Sequence, residues 1–244
     1  MHRFFADAQG ITDGVVCLEE NDARHALRVL RLEKGELCVV MSDGARYAAQ
    51  IEEIEDETVR CRILEPMDTT ESELAVTLYQ GLPKQEKMEL VVQKLTELGG
   101  ARVVPVAMGR CVVQLNAKDG AKKQERWQKI AREAAKQSGR ALVPEVEAPI
   151  SMKELLERLP KHEAALIPWE DASGRSLRSF HEERPEVRDV ALVIGPEGGM
   201  SSEEVALMSD VGALPVTLGP RILRTETAGM TALAVLLALY GEME

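Results

Sequence analysis

Short apolar runs alternate with polar turns over the first 65 residues of this 244-residue chain. The runs lie at residues 14–18, 36–41 and 47–54. Such spacing predicts a small β-rich barrel or sandwich. One helix interrupts it, beginning near Asn21 or Asp22 and continuing to Arg31. The polar, turn-rich segment 66–73 that follows is typical of an interdomain linker.

Beyond the linker, the pattern changes to strands that alternate with helices. Strands are predicted at residues 74–79, 103–107, 164–167, 190–194 and 215–218, and helices at residues 84–98, 122–138, 152–159 and from 225 onward. The segment between residues 167 and 190 is predicted as a loop. This alternation predicts an α/β domain, in which a mostly parallel sheet has helices on both faces.

Two of these strands end in a Gly-Pro pair, at Gly195-Pro196 and at Gly219-Pro220. One strand-to-helix-to-strand passage fits between the pairs and would bring both turns to the same edge of a parallel sheet. Open α/β sheets bind ligands at that edge. Either turn alone is more typical of an ordinary turn before a helix cap, whereas the pair is equally consistent with one shared pocket.

Acidic residues at the first turn bear on the kind of ligand. Glu197, Glu203 and Glu204 crowd it, and no lysine stands where the G-x-x-x-x-G-K-[ST] pattern of a phosphate-binding loop requires one. Ser201 and Glu204 form a capping box that begins a helix, but the acids would repel an anion there. A ligand with hydroxyls, amines or positive charge is favoured. S-adenosylmethionine (SAM), with its sulfonium and ammonium, is such a ligand.

The second turn adds two apolar residues and two opposite charges. Ile222 and Leu223 interrupt the route from strand to helix and suit an adenine. Arg224 and Glu226 would then stand at the mouth of the pocket. The alternative is that the two apolar side chains fill core beneath the loop while the two charges pair at the surface.

The composition, 45% apolar and 29% charged, is that of a globular protein. The longest apolar stretch, 230–240, is too short to cross a bilayer, and the N-terminus lacks the apolar core of a signal peptide. We therefore expect a cytoplasmic protein without a membrane partner. The cysteines, Cys17, Cys38, Cys61 and Cys111, have no C-x-x-C spacing, so neither a metal site nor a disulfide framework is predicted.

The net charge of -11 argues against nucleic acid, but its distribution argues for it. Residues 118–140 contain eight basic and three acidic residues, and no acid occurs from 23 to 32, where Arg24, His25, Arg28 and Arg31 lie. Two basic clusters in an acidic chain favour RNA or DNA, although a charged helix face is often merely solvated. With two Trp, three Tyr and three Phe, contacts mainly to phosphates and shape are expected.

The last helix is apolar nearly all round, over residues 230–239. Such a helix must be covered on every side. Burial in the core and a homodimer interface are both consistent with this pattern.

Six segments, taken in order, resemble the RsmE family of 16S ribosomal RNA uracil-N3 methyltransferases, which belong to the SPOUT class of SAM-dependent enzymes. They lie at residues 2–5, 25–35, 84–99, 126–140, 194–199 and 218–228. Each alone is a modest signal, whereas the ordered set spans nearly the whole chain and is specific.

The resemblance implies a PUA-like β-barrel at residues 1–68 that docks RNA, and a SPOUT methyltransferase domain at residues 72–244. The second domain would contain a parallel sheet and a deep trefoil knot around the SAM site; true knots are rare in proteins. A homodimer that methylates N3 of a specific uridine in 16S rRNA of the small ribosomal subunit is implied, with no metal. Two alternatives are a SPOUT enzyme acting on ribose 2′-hydroxyls or tRNA, and an RNA-binding module with a vestigial pocket.

Roles are predicted for individual residues on this basis and on their chemistry. The resemblance implies a cofactor set of Pro168, Trp169, Glu170, Ile194, Gly195, Pro196, Glu197, Gly198, Leu218, Gly219, Ile222, Leu223, Arg224, Thr227 and Ala228. Glu226 is the first candidate for the base that takes the N3 proton, and Arg224, Arg110 or Arg140 would stabilise the uracil oxyanion. The RNA-binding set is Arg3, Arg24, His25, Arg28, Arg31, Lys84, Lys87, Arg126, Lys129, Arg132 and Arg140.

Overall fold

A computed structural model describes residues 1–7, 9–113 and 115–243, without the side chain of residue 117. The chain divides into two compact units. The first comprises Met1–Glu71 with Ala135–Val143, and the second Ser72–Ala134 with Pro144–Glu244. Residues 135–143 fall within the second predicted domain but group with the first unit, because Ala135 and Ala141 pack against Phe5 and Met41.

The first unit is built on a five-stranded sheet in the order β1-β3-β4-β5-β2. Its strands are β1 (His2–Phe5), β2 (Val15–Cys17), β3 (Leu37–Ser42), β4 (Ala45–Glu55) and β5 (Thr58–Met67). The chain just beyond β1 also pairs with the chain just beyond β2, where the Asp7 N–H donates to the Cys17 carbonyl at 2.9 Å and the Glu19 N–H to the Phe5 carbonyl at 3.0 Å. The two edges thereby meet, and the sheet closes as a small barrel.

The helix predicted in this unit runs without a break through two geometries. α1 (Glu20–Arg24) continues into a π-helical turn, His25–Leu30, which ends at Arg31 in the left-handed conformation, φ 55°. Ala23 and Ala26 on this segment are buried in the barrel core. Small residues at these positions let the helix backbone lie close to the sheet.

The second unit contains a parallel sheet, as predicted, in the order β12-β10-β11-β6-β7-β8, with β9 also paired to β7. The strands are β6 (Ala75–Gly81), β7 (Arg102–Ala107), β8 (Glu145–Val146), β9 (Ile150–Ser151), β10 (Ala164–Pro168), β11 (Asp189–Ile194) and β12 (Leu214–Val216). Residues 190–194 are all buried, as expected for a central strand covered on both faces. The trefoil knot implied by the resemblance stays a prediction.

Six helices of the described chain accompany this sheet: α2 (Lys87–Leu98), α3 (Ala117–Ser138), α4 (Met152–Arg158), α5 (Leu177–Glu183), α6 (Ser202–Asp210) and α7 (Thr225–Leu239). The prediction of a loop between β10 and β11 was wrong, because α5 lies there. This helix begins at a capping box formed by Ser176 and Ser179 and buries only Leu177 and Phe180. Two apolar residues are too few to produce a helical period.

The apolar helix α7 is only partly covered within its own unit. Ala232, Leu233, Leu236 and Leu237 are buried, whereas Val235 is 39% exposed. Burial in the core therefore accounts for one face of α7. A homodimer interface, the other interpretation of this helix, would cover the remaining face and stays a prediction.

The end of β6 lies so close to the first Gly-Pro turn that Gly81 has no room for a side chain. A Cβ at Gly81 would lie 2.6 Å from both Cδ and N of Pro196. We expect Gly81→Ala to lower the free energy of unfolding by about 1–3 kcal/mol, because the turn must move to admit a methyl group. Urea unfolding measures this change.

Gly229→Ala is the matched control. A Cβ at Gly229, inside α7, meets Leu78 Cδ2 at an ordinary 3.5 Å. This substitution should leave stability unchanged or raise it by up to about 1 kcal/mol, because alanine favours the helix. Equal loss of stability in the two variants would contradict the close approach at Gly81.

Candidate functional site

A cavity of about 500 Å³ opens at the carboxyl ends of β10, β11 and β12. Because β10 pairs in parallel with both neighbours, these three strand ends lie at one edge, and both Gly-Pro turns meet there as predicted. The lining residues are Lys87, Pro168, Trp169, Glu170, Ile194, Gly195, Pro196, Glu197, Gly199, Met200, Leu218, Gly219, Pro220, Arg221, Ile222, Leu223, Arg224, Thr225 and Ala228. The cavity lies wholly within the second unit.

The first turn is so tight that residue 195 must be a glycine. A Cβ at Gly195 would lie 2.9 Å from Met200 Cγ and 3.1 Å from the Gly199 carbonyl carbon. The predicted capping box follows directly, since the Ser201 N–H donates to Glu204 Oε2 at 2.9 Å and the Glu204 N–H to Ser201 Oγ at 3.2 Å. Gly195 and Gly199, which have no side chains, both line the cavity with their backbones.

A buried polar chain fixes this turn to its neighbours. Gln80 Nε2 donates to Thr225 Oγ1 at 2.8 Å, and the Thr225 hydroxyl donates to the Gly195 carbonyl at 2.6 Å. Gln80 is fully buried at the end of β6, and Thr225 is the first residue of α7. The bonds therefore join β6, the turn after β11 and the start of α7.

One lysine joins the loop after β11 to the first turn of α7. Lys87 Nζ lies 3.1 Å from Glu197 Oε1 and 3.3 Å from Glu226 Oε2. Glu197 Oε1 also accepts the Lys84 N–H at 3.0 Å. Burial raises the pKa of the Glu197 carboxyl, but its own N–H, the Lys84 N–H and Lys87 outweigh it, so that the pKa is lowered. The pKa of Lys87 is raised, chiefly by its hydrogen bond to Glu197.

The three acids predicted at the first turn have different roles. Glu197 lines the cavity, together with Glu170. Glu204 caps α6 and accepts the Gly109 N–H at 2.8 Å. Glu203 lies outside the cavity lining, and its pKa is lowered mainly by the Ser201 hydroxyl. The acidic character of the cavity thus comes from Glu170 and Glu197.

Two family models match the chain. One describes an RNA methyltransferase domain and matches residues 70–237, and the other describes an RNA methyltransferase PUA domain and matches residues 18–64. The ribosomal RNA small subunit methyltransferase E of Bacillus subtilis is 34% identical over 221 residues, which are 88% of this chain and 86% of that protein. The chain belongs to this family of RNA methyltransferases.

Other similar proteins match this chain over nearly their whole length. The Aquifex aeolicus protein of the same name is 31% identical over 97% of this chain and 99% of its own. The crystal structure of the Neisseria gonorrhoeae ribosomal RNA small subunit methyltransferase E bound to SAM has a TM-score of 0.84 and 33% identity, covering 98% of each chain. A Legionella pneumophila putative methyltransferase with bound SAM has a TM-score of 0.83 and 36% identity, covering 97% of this chain and 96% of its own.

Most of the residues that the family resemblance assigned to the cofactor line the cavity. Gly198 and Thr227 do not: the Gly198 carbonyl accepts Arg110 Nη1 at 3.0 Å, and Thr227 is exposed on α7. The lining residues outside that assignment are Lys87, Gly199, Met200, Pro220, Arg221 and Thr225. All of these except Lys87 lie within the predicted loops or directly beside them. A cofactor set that took every residue of each loop and its neighbours would have included them. Lys87 comes from a separate helix and was assigned to RNA instead.

The predicted catalytic residues lie in different places. Arg224 lines the cavity, and the Glu226 side chain, 13% exposed, is turned toward Lys87. Arg110 is bonded to the first turn outside the cavity lining. Arg140 belongs to the first unit, where its Nε and Nη2 donate to Glu71 Oε2 at 2.9 and 2.6 Å. A guanidinium buried this deeply requires such a carboxylate partner.

Several predicted RNA-binding side chains are paired with acids or carbonyls. Arg24 lies 2.6 Å from Glu20, Arg28 pairs with Glu57, Arg126 lies 2.7 Å from Glu89, and Arg3 donates to the Gln137 carbonyl at 2.7 Å. These acids weaken the positive potential of both basic clusters. His25, Arg31, Lys84 and Lys129 are exposed, and Arg132 is half-buried.

Two further properties concern metals and membranes. Within residues 1–7, 9–113 and 115–243, no three His, Cys, Asp or Glu side chains are grouped to hold a metal ion. In the same residues, no helix combines the length and apolar character that spanning a bilayer requires.

The lowered pKa of Glu197 predicts a specific dependence of stability on pH. Because the folded-state pKa lies below the ordinary value of 4.5, the carboxylate stabilises the fold above that pH, and the contribution is lost as the pH falls through the lowered value. Glu197→Gln should therefore be less stable than wild type at pH 7, and the difference should shrink as the pH falls below 4.5 and through the lowered pKa. Urea-unfolding midpoints measured at a series of pH values test this.

Glu125→Gln, at an exposed position on α3, controls for the loss of one surface carboxylate. Its urea-unfolding midpoint should equal that of the wild type at every pH measured. A stability deficit of Glu197→Gln that does not change with pH would contradict the charge-based explanation.

Proposed function

We propose that the chain is a SAM-dependent methyltransferase that methylates N3 of a specific uridine in 16S rRNA of the small ribosomal subunit. The observation that carries the proposal is the cavity at the carboxyl edge of β10, β11 and β12, lined by the loops whose motifs mark the family. Its volume of about 500 Å³ falls within the range of small-molecule sites. Relatives that bear the methyltransferase name and bind SAM support it.

The chemistry of the lining fits SAM. Glu170 and Glu197 offer carboxylates to cationic and hydroxyl groups, while Trp169, Ile222 and Leu223 offer apolar surface to an adenine. Ile222 is 82% exposed and therefore presents its apolar side chain to a ligand in the cavity. When bound, SAM supplies an electrophilic methyl group.

Methyl transfer then requires a fixed orientation of the reacting groups, an accessible target base and a group that accepts the N3 proton. The turns after β11 and β12, tied by Gln80 and Thr225, hold the reacting groups in a fixed orientation. The target uridine must be unpaired or flipped out, because N3 lies on its base-pairing edge. Glu226, in the first turn of the helix beside the cavity, is proposed to accept the N3 proton, and Arg224 to stand at the mouth of the cavity.

RNA docking is proposed for the PUA-like first unit and for the basic residues of α3. A homodimer is proposed on the family resemblance, with the partly exposed face of α7 as its supporting observation. Light scattering in solution tests the dimer, and a mass of 26.9 kDa, that of one chain, would contradict it. A ribosomal substrate implies that the enzyme acts in the cytoplasm.

The decisive experiment is methyl transfer. Purified protein with tritium-labelled SAM and small ribosomal subunits lacking the modification should label one uridine, and mass spectrometry of the digested RNA should place the methyl group on N3. A methyl on a ribose 2′-oxygen or on tRNA would favour the alternative enzyme. Absence of both transfer and SAM binding by calorimetry would favour a vestigial pocket.

Glu226→Gln is the matched variant for the proposed base. It should bind SAM as wild type does and transfer the methyl group about 100-fold more slowly, because the amide cannot accept the proton. An unchanged rate would remove Glu226 from the mechanism.

The basic face of α3 predicts a salt-dependent contribution to RNA affinity. Lys122 and Lys129 are both exposed on this helix. The double variant Lys122→Ala/Lys129→Ala should reduce the slope of log affinity against log salt by about 2, because two phosphate contacts are lost. Lys153→Ala/Lys161→Ala, which removes two exposed lysines outside α3, is the control. Equal slopes in the two double variants would contradict a role for this face.

A further inference from the structure

Lys87 is the one residue of α2 that lines the cavity in the described chain. Its side chain is 25% exposed, and its ammonium forms ion pairs with Glu197, in the loop after β11, and with Glu226, in the first turn of α7. An ammonium has three N–H donors, and that of Lys87 is held by ion pairs while its side chain lines the cavity. It can therefore donate a hydrogen bond to a group in the cavity.

The position of Lys87 does not stabilise its own helix. Lys87 is the first residue of α2, where the positive end of the helix dipole disfavours a cation. Glu86 at the N-cap makes no side-chain cap bond that would offset this. The compensation comes from Glu197, in the loop after β11, and from Glu226, in the first turn of α7.

We propose that Lys87 is a catalytic residue that donates a hydrogen bond to a carbonyl oxygen of the target uracil and stabilises the negative charge of the base as N3 loses its proton. This inference rests on the proposed function. The N3–H bond breaks and its proton passes to Glu226, which leaves a uracil anion with its charge shared between N3 and the two carbonyl oxygens. The new N3–methyl bond then forms as the sulfur–methyl bond breaks, and the sulfonium becomes a neutral thioether.

Preorganisation favours Lys87 over the arginines for this role. Among the described residues, Lys87, Arg221 and Arg224 are the cations that line the cavity. Both arginines are exposed on the loop after β12, whereas Lys87 is held at two points. A donor fixed before the reaction stabilises developing charge best, because nothing must reorganise. Its raised pKa keeps Lys87 protonated, as a charge stabiliser must be.

The test compares Lys87→Met with wild type on small subunits reconstituted from 16S transcripts. We expect kcat to fall about 100-fold, as for the loss of one oxyanion donor. SAM affinity, measured by calorimetry without RNA, should change by less than about threefold, since the interaction is made with the base. Lys94→Met is the matched control, because Lys94 lies on the same helix and is paired with Glu97.

A second substrate separates charge stabilisation from a structural role. In transcripts made with 5-fluorouridine, the fluorine makes N3–H more acidic, so the anion needs less help. The deficit of Lys87→Met should therefore shrink about tenfold on this RNA. A variant with a distorted site would show the same deficit on both RNAs.

A third measurement does not depend on the variant folding. Fluorine NMR of the 5-fluoro RNA bound to wild type, with the demethylated cofactor present, should show the target base about tenfold more ionised at a given pH than in free RNA. Unchanged ionisation would overturn the proposal, as would an unchanged kcat in Lys87→Met, or a SAM affinity weakened tenfold with kcat retained. Failure of wild type to methylate any RNA would instead overturn the proposed function.

Discussion

Parallel pairing of β10 with both β11 and β12 is the constraint on which the site depends. The register sets Leu166 opposite both Leu192 and Leu214, so the three strands reach the same edge within a few residues of one another. Every loop that lines the cavity leaves from that edge. The main-chain hydrogen bonds of the sheet therefore fix where the loops start, and only the loops themselves need further restraint.

That restraint is polar and buried. Gln80 and Thr225 connect the end of β6 to the first turn, and Lys87 connects α2 to the first turn and to the start of α7. Buried polar groups are costly unless they are paired, so such networks favour one arrangement of the loops over close alternatives. Gly81 adds a steric limit, because the turn at Pro196 packs directly on its backbone. Loops that are otherwise glycine-rich are held in place in this way.

The sequence predicted features that follow from local pattern and missed those that depend on distant pairing. Gly195 and Gly219 were placed at one edge because strand–helix alternation implies parallel strands. Lys87 was not placed at the cavity, because its position requires β6 to pair with β11, more than 100 residues later in the chain. Arg140 was predicted to bind RNA or to stabilise the oxyanion, but a run of basic residues does not reveal that one of them is buried against Glu71.

The electrostatics of the site bear on which atom is methylated. Lys87 stabilises the charged form of Glu197, whose pKa is lowered, and it lies equally close to Glu226. A carboxylate is in any case a weak base and matches an acidic proton better than a weakly acidic one. The N3–H of uracil is far more acidic than a ribose 2′-hydroxyl, and its anion spreads charge onto oxygens that an ammonium can reach. A cation shared between two carboxylates is therefore better suited to a uracil base than to a ribose hydroxyl.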